Sequence, residues 1–191
     1  VHQFNKAGFA PLHKASWNGH AEVVGALLSG DHANVGKADK HGRTALYYAA
    51  WKGHLAVVEE LLEEWDADPN QAVRQVSVRK KKARGAVSRH KDIVRQLLGS
   101  NSESTQGDAS WGTPLLVASH KGHLPVVREL LRSFADVSVR NKQGATSLFA
   151  ASKSGHVDVV RELLGANVDV DATDKKGASP LLAASQEGHV G

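Results

Sequence analysis

The chain has neither cysteine nor methionine among its 191 residues. Without cysteine there are no disulfides, no thiolate nucleophile and no sulfur-ligated zinc, and an extracellular disulfide scaffold is excluded. A reducing setting inside the cell, cytoplasmic or nuclear, is the location this expects. The missing methionine, at position 1 included, leads to the expectation that the sequence is a piece of a longer protein. Long apolar runs are absent as well: none approaches the roughly 20 residues of a membrane-spanning helix, and residues 1–9 lack the charged-then-apolar layout of a secretory signal. What remains is 41% apolar, enough for one globular domain or one stacked array and too much for a disordered tail.

Two short words recur. Gly-His appears as Gly19-His20, Gly53-His54, Gly122-His123, Gly155-His156 and Gly188-His189, and His90 falls in the same frame after Arg89. Successive histidines are separated by 34, 36, 33, 33 and 33 residues. After the first five come paired apolar residues at fixed offsets: Val23-Val24 with Leu27-Leu28, Val57-Val58 with Leu61-Leu62, Ile93-Val94 with Leu97-Leu98, Val126-Val127 with Leu130-Leu131, and Val159-Val160 with Leu163-Leu164. Ahead of the histidine stands the second word, as in Ala10-Pro11-Leu12-His13, Thr44-Ala45-Leu46-Tyr47, Thr113-Pro114-Leu115-Leu116, Thr146-Ser147-Leu148-Phe149 and Ser179-Pro180-Leu181-Leu182. These residues resemble the ankyrin repeat, whose unit of about 33 residues carries a T-P-L-H-x-A signature, a turn and two helices. The likeness covers five of six units and nearly the whole chain.

The chemistry of the unit agrees with the resemblance. Thr113 or Ser179 supplies an oxygen for orphan N–H groups, and Pro114 or Pro180 fits the first helical position, where no donor is needed. Glycine ends this first helix because it reaches the left-handed backbone cheaply. In the second helix Val57, Val58, Leu61 and Leu62 make a buried stripe, with Glu59, Glu60, Glu63 and Glu64 left in water. No unit covers both of its faces alone, so stability comes from stacking. The expected fold is an all-α, ankyrin-type solenoid of stacked helix-turn-helix units joined by hairpin loops. Six of the eleven histidines are then one repeat position, set out in a row rather than converging on an ion. His120 is off that frame, and a lone His-x-x-His is a weak motif. No metal and no cofactor are expected.

Units one and two fill residues 1–70, a degenerate basic insertion spans 71–85, residues 86–99 keep the second helix of unit three, and residues 100–191 hold units four to six, the last truncated. Where other units read Thr-x-Leu, the third reads Lys80-Lys81-Lys82; an ammonium in a leucine slot is costly, so the segment is expected to bulge or distort. Arg74, Arg79, Lys80, Lys81, Lys82 and Arg84 are six of the 24 basic residues, and the high pI is local to them. Three readings compete: a nuclear-import or anionic-surface patch, a solvated insertion, and a retained intron or gene-model error. The turn at 100–110 places Asp108 in frame with Asp39, Asn141 and Asp174, and Trp111 stands in a turn-glycine position. Neither end carries a polar cap, so frayed termini and self-association are expected.

No nucleophile-base set, phosphate loop or recurrent carboxylate pair is present, so no enzyme and no small-molecule substrate are expected. The resemblance implies recognition of a protein partner across a concave face, by turn tips and the open side of the first helices. Those positions are Lys6, Phe9, Trp17 and Asn18; Lys40, His41, Arg43, Trp51 and Lys52; Ser110, His120 and Lys121; Lys142, Gln143, Lys153 and Ser154; and Lys175, Lys176, Gln186 and Glu187. Nine cations face one anion, which points to an acidic partner segment. Trp17 and Trp51, in one frame of adjacent units, are either a shared aromatic anchor or cover for their neighbours. The rival readings are electrostatic binding of nucleic acid or an anionic surface through residues 74–84, and a targeting arm of a larger enzyme or channel.

Overall fold

A computed structural model describes residues 9–30, 34–71 and 112–189. The basic cluster from Arg74 to Arg84, the second-helix word of unit three with His90, and Lys6, Asp108, Ser110 and Trp111 lie outside the described residues.

Each described unit begins with a short helix: α1 (Pro11–Asn18), α3 (Ala45–Lys52), α5 (Pro114–Lys121), α7 (Ser147–Lys153) and α9 (Pro180–Gln186). Their starts follow the capping chemistry. Thr44, Thr113, Thr146 and Ser179 accept from the backbone N–H three residues on, at 3.2–3.3 Å. Ala10 has no such oxygen, and there the cap is inverted: its N–H donates to His13 Nδ1 at 3.0 Å. The second helices are α2 (Ala21–Leu28), α4 (Leu55–Glu59), α6 (Leu124–Arg132) and α8 (Val157–Leu164).

A regular α-helix was expected through Leu62, yet α4 widens into a π-helical turn over Glu60–Glu64. Trp65 Nε1 donates to Glu60 Oε1 at 3.0 Å, an i,i+5 interval that the wider pitch brings into line. The stripe itself forms: Val57, Val58 and Leu61 are fully buried, and Glu63 and Glu64 are exposed.

Helices of 5–9 residues are too short to hold themselves in water, so packing must hold them. First helices pack in the order α1–α3–α5–α7–α9, and second helices in the order α2–α4–α6–α8. No strands occur among the described residues. One core runs through the row, from Leu12 and Val24 through Leu46, Val58, Leu115 and Val127 to Leu148 and Leu163. The neighbour of the second unit is the fourth: α3 packs on α5 and α4 on α6. Asn70 joins the same two units, its Oδ1 accepting from Asp136 N–H at 2.6 Å.

Candidate protein-binding face

The Gly-His word proves to be a fastener between units. His54 Nε2 donates to the Trp17 carbonyl at 2.9 Å, His123 to Trp51 at 3.0 Å, His156 to His120 at 2.9 Å and His189 to Lys153 at 3.2 Å. His54, His123 and His156 each tie their own second helix to the end of the preceding first helix, and His189 reaches the end of α7 in the same way. The other ring nitrogen faces the preceding unit's glycine, where a Cβ on Gly122 would sit 2.6 Å from His156 Nδ1. Glycine is needed there twice over, for a φ of +77° and for the room. Burial, outweighing the carbonyl bond and helped by nearby positive charge, holds the His123 imidazole below its ordinary pKa. Among the described residues no group of three His, Asp or Glu side chains could hold a metal.

The tips are shaped by one acid or amide per loop. Asp39 Oδ1 accepts from the N–H groups of His41 and Arg43, Asn141 Oδ1 from Gln143 and Ala145, and Asp174 Oδ1 from Lys176 and Ala178, all at 2.7–2.9 Å. Such bonds fix a tight turn and tie the Oδ1 atom to the loop backbone, so the residues that project are the ones after it. Lys40, His41, Lys142, Gln143, Lys175 and Lys176 are all exposed. Partial burial and the Arg43 guanidinium hold His41 below its ordinary pKa.

Arg43 is otherwise committed. Its guanidinium meets Asp39 at 2.8 Å and lies over the Tyr48 ring, while the Tyr48 hydroxyl donates to Asp39 at 2.8 Å. Burial alone would raise the Asp39 carboxyl, but the hydrogen bonds from Arg43 and Tyr48, with the guanidinium charge, outweigh it and hold it below the usual carboxylate range. Burial also pushes the Tyr48 phenol far above its ordinary value. This network stiffens the second tip, and the spacing of Asp39, Arg43 and Tyr48 gave no hint of it.

The two tryptophans part company. Trp51 is 7% exposed, stacked on Tyr48 and edge-on to Tyr47 and Trp17, so its ring serves the joint between units. Trp17 is partly exposed, and Lys52 Nζ stands 4.2 Å above its ring. Lys121 repeats that placement over Trp51 at 6.0 Å. Phe9 is half-buried against His13 and Tyr48. Asn18, Lys121, Lys153, Gln186 and Glu187 are exposed, and His120 is half-buried with Nδ1 2.9 Å from Ser154 Oγ.

On the second-helix side the described arginines are paired with acids, and Glu22, Glu59, Glu63 and Glu64 add further negative charge. Arg128 pairs with Glu162 at 2.7 Å, Arg132 with Glu129 at 3.2 Å and Arg161 with Asp158 at 2.9 Å. Among the described tip and first-helix positions read from the sequence, Lys40, Lys52, Lys121, Lys142, Lys153, Lys175 and Lys176 stand with one exposed acid, Glu187, which reaches Lys153 at 3.9 Å.

Helix pairs stacked in register, fastened by histidine and joined by acid-pinned hairpin tips, define a helical-repeat solenoid. The family model for ankyrin repeats matches in three copies, over residues 1–72 and 84–174, and the chain belongs to that family. No curated protein matches it. Ankyrin repeats are generally protein–protein interaction modules and typically non-catalytic. No described helix is long and apolar enough to cross a membrane.

Proposed function

We propose that the chain binds an acidic segment of a partner protein along its tips and first-helix ends. The observation that carries this reading is the sorting of charge between the two sides: lysines gather at the tips and first-helix ends, where Asp39 is paired with Arg43, and the arginines opposite are paired within their own layer. A lysine-rich face steers acidic partners and repels basic ones. Lys52 and Lys121, held over indole rings, bring less rotamer freedom to a complex than unsupported lysines would, which lowers the entropy cost of pairing.

Titration with fluorescent acidic and basic peptides of equal length tests it. The acidic peptide binds, the basic one does not, and Lys52→Glu with Lys121→Glu weakens binding by at least about tenfold, the sum expected of two reversed charge pairs. Trp51 is not a useful probe, because truncating a buried ring reports on folding. Unchanged affinity in the lysine variant removes this face from the account. Salt-sensitive nucleic-acid binding that vanishes when residues 74–84 are deleted would put the basic segment in its place.

A further inference from the structure

Three of the described non-glycine residues hold the left-handed backbone: Asp66 at a φ of 51°, Phe134 at 60° and Asn167 at 57°. They occupy one position of the repeat. Each stands two residues ahead of an aspartate, and Asp68, Asp136 and Asp169 each accept through Oδ1 from the backbone N–H two residues further on, at 2.8–3.1 Å. Aspartate and asparagine tolerate that backbone because a short polar side chain bonds locally; a bulky ring has no such relief, so Phe134 is strained where its two counterparts are not. The ring gives nothing to the core in return, being 90% exposed. Such an outlier calls for a reason outside the fold. The joint around it is acidic. Asn70 Oδ1 accepts from the Asp136 N–H at 2.6 Å, which sets the loop from Asp66 to Asn70 beside the loop that carries Phe134 and Asp136. Asp66, Asp68 and Asp136 are exposed, and none is in an ion pair among the described residues. Hydrogen bonds from Ser138 hold the Asp136 carboxyl below the usual carboxylate range, so it stays charged at neutral pH. Arg132, the cation nearest to Phe134 in sequence, is paired with Glu129 at 3.2 Å.

We propose that Phe134 anchors a second docking surface, one that takes an amphipathic helix of a partner protein whose apolar face is flanked by lysine or arginine. The ring enters the gap between apolar side chains one turn apart on that helix, as a knob enters a hole, and Asp66, Asp68 and Asp136 meet the flanking cations. Exposed carboxylates contribute little by themselves, so a basic peptide that lacks the apolar face does not bind here. This surface lies on the loops that follow the second helices and is opposite in charge to the lysines of the tips. The two faces therefore recruit different segments.

Fluorescence anisotropy of a labelled leucine–lysine helix of about five turns, added to the full 191-residue chain, tests it. The control is the same peptide with serine in place of leucine. The leucine–lysine helix binds and the control does not. Phe134→Asn weakens binding by at least about tenfold and at the same time raises the urea midpoint, because the left-handed strain is relieved. Asp68→Asn with Asp136→Asn keeps the loop acceptors and weakens binding several-fold, whereas Lys52→Glu with Lys121→Glu leaves it unchanged, which separates this surface from the lysine-rich one. Equal affinity of wild type and Phe134→Asn, or a leucine–lysine helix that does not bind the wild type, overturns the proposal. So does a lower urea midpoint in Phe134→Asn, which would make the ring a support of the fold, or self-association that this substitution abolishes, which would make a second copy the occupant.

Discussion

Leu115 and Leu181 hold the same place in the repeated word, yet one is 1% exposed and the other 76%. Both follow a proline that opens a capped helix, and both helices form. Local code therefore sets where the element starts and stops, and burial is a property of the neighbour. An interior leucine is covered by its own second helix and by the next unit; in α9 neither cover is present among the described residues. The same contrast runs through the fasteners. Gly122 meets the His156 ring, and Gly188, with the same φ of +77°, meets nothing within 4 Å.

Substitution at the paired leucines should break the symmetry most widely. Leu115→Ala is expected to cost roughly 2–5 kcal/mol of unfolding free energy, the range for emptying a closed core site. Leu181→Ala, measured in dilute solution, should cost less than about 0.5 kcal/mol, as exposed positions do. Equal losses in urea titrations would mean that the end is as well covered as the middle.

The glycine pair gives a smaller split. Gly188→Ala carries only the backbone penalty of the left-handed region, roughly 1 kcal/mol. Gly122→Ala adds a clash that displaces the His156 ring and its bond to the His120 carbonyl, so its loss should exceed that of Gly188→Ala by about 1 kcal/mol or more. If the two cost the same, the ring contact is not what fastens units.

The joint between the second and fourth units should behave as an interior joint. Removing residues 72–106 excises 35 residues and shortens the His54-to-His123 interval from 69 to 34, the interval that separates His20 from His54. Because α3 already packs on α5 and His123 already reaches the Trp51 carbonyl, the shortened chain is expected to keep its unfolding free energy within about 0.5 kcal/mol. A collapse of the cooperative transition would show that the excised residues support that joint. This result bears directly on residues 71–85 and 86–99, which the sequence reads as an insertion and a surviving helix.

The legible part was the repetition. The unit, its caps at Thr44, Thr113, Thr146 and Ser179, the glycine stops and the valine-leucine stripe all follow from short-range rules that recur at one period. The lysines of the tips were legible as exposed because a turn projects the residues after its acid. Less legible were the partners that lie far apart in the chain. The sequence names Arg43 a binding residue, whereas its charge is spent on Asp39; it names Trp51 beside Trp17, whereas only Trp17 has open surface. The bond from His54, His123, His156 or His189 to a carbonyl of the preceding unit joins residues 36 to 72 positions apart, and no spacing rule within one unit contains it.

Residue order thus settled which segments become helices and where each stops, because those choices depend on neighbours within about four positions. Which leucines are covered, which units touch, and which cations are ion-paired were settled only when the helices were set side by side. Burial and pairing are sums over contacts from elsewhere in the chain, and similar words take different values of that sum in different described units.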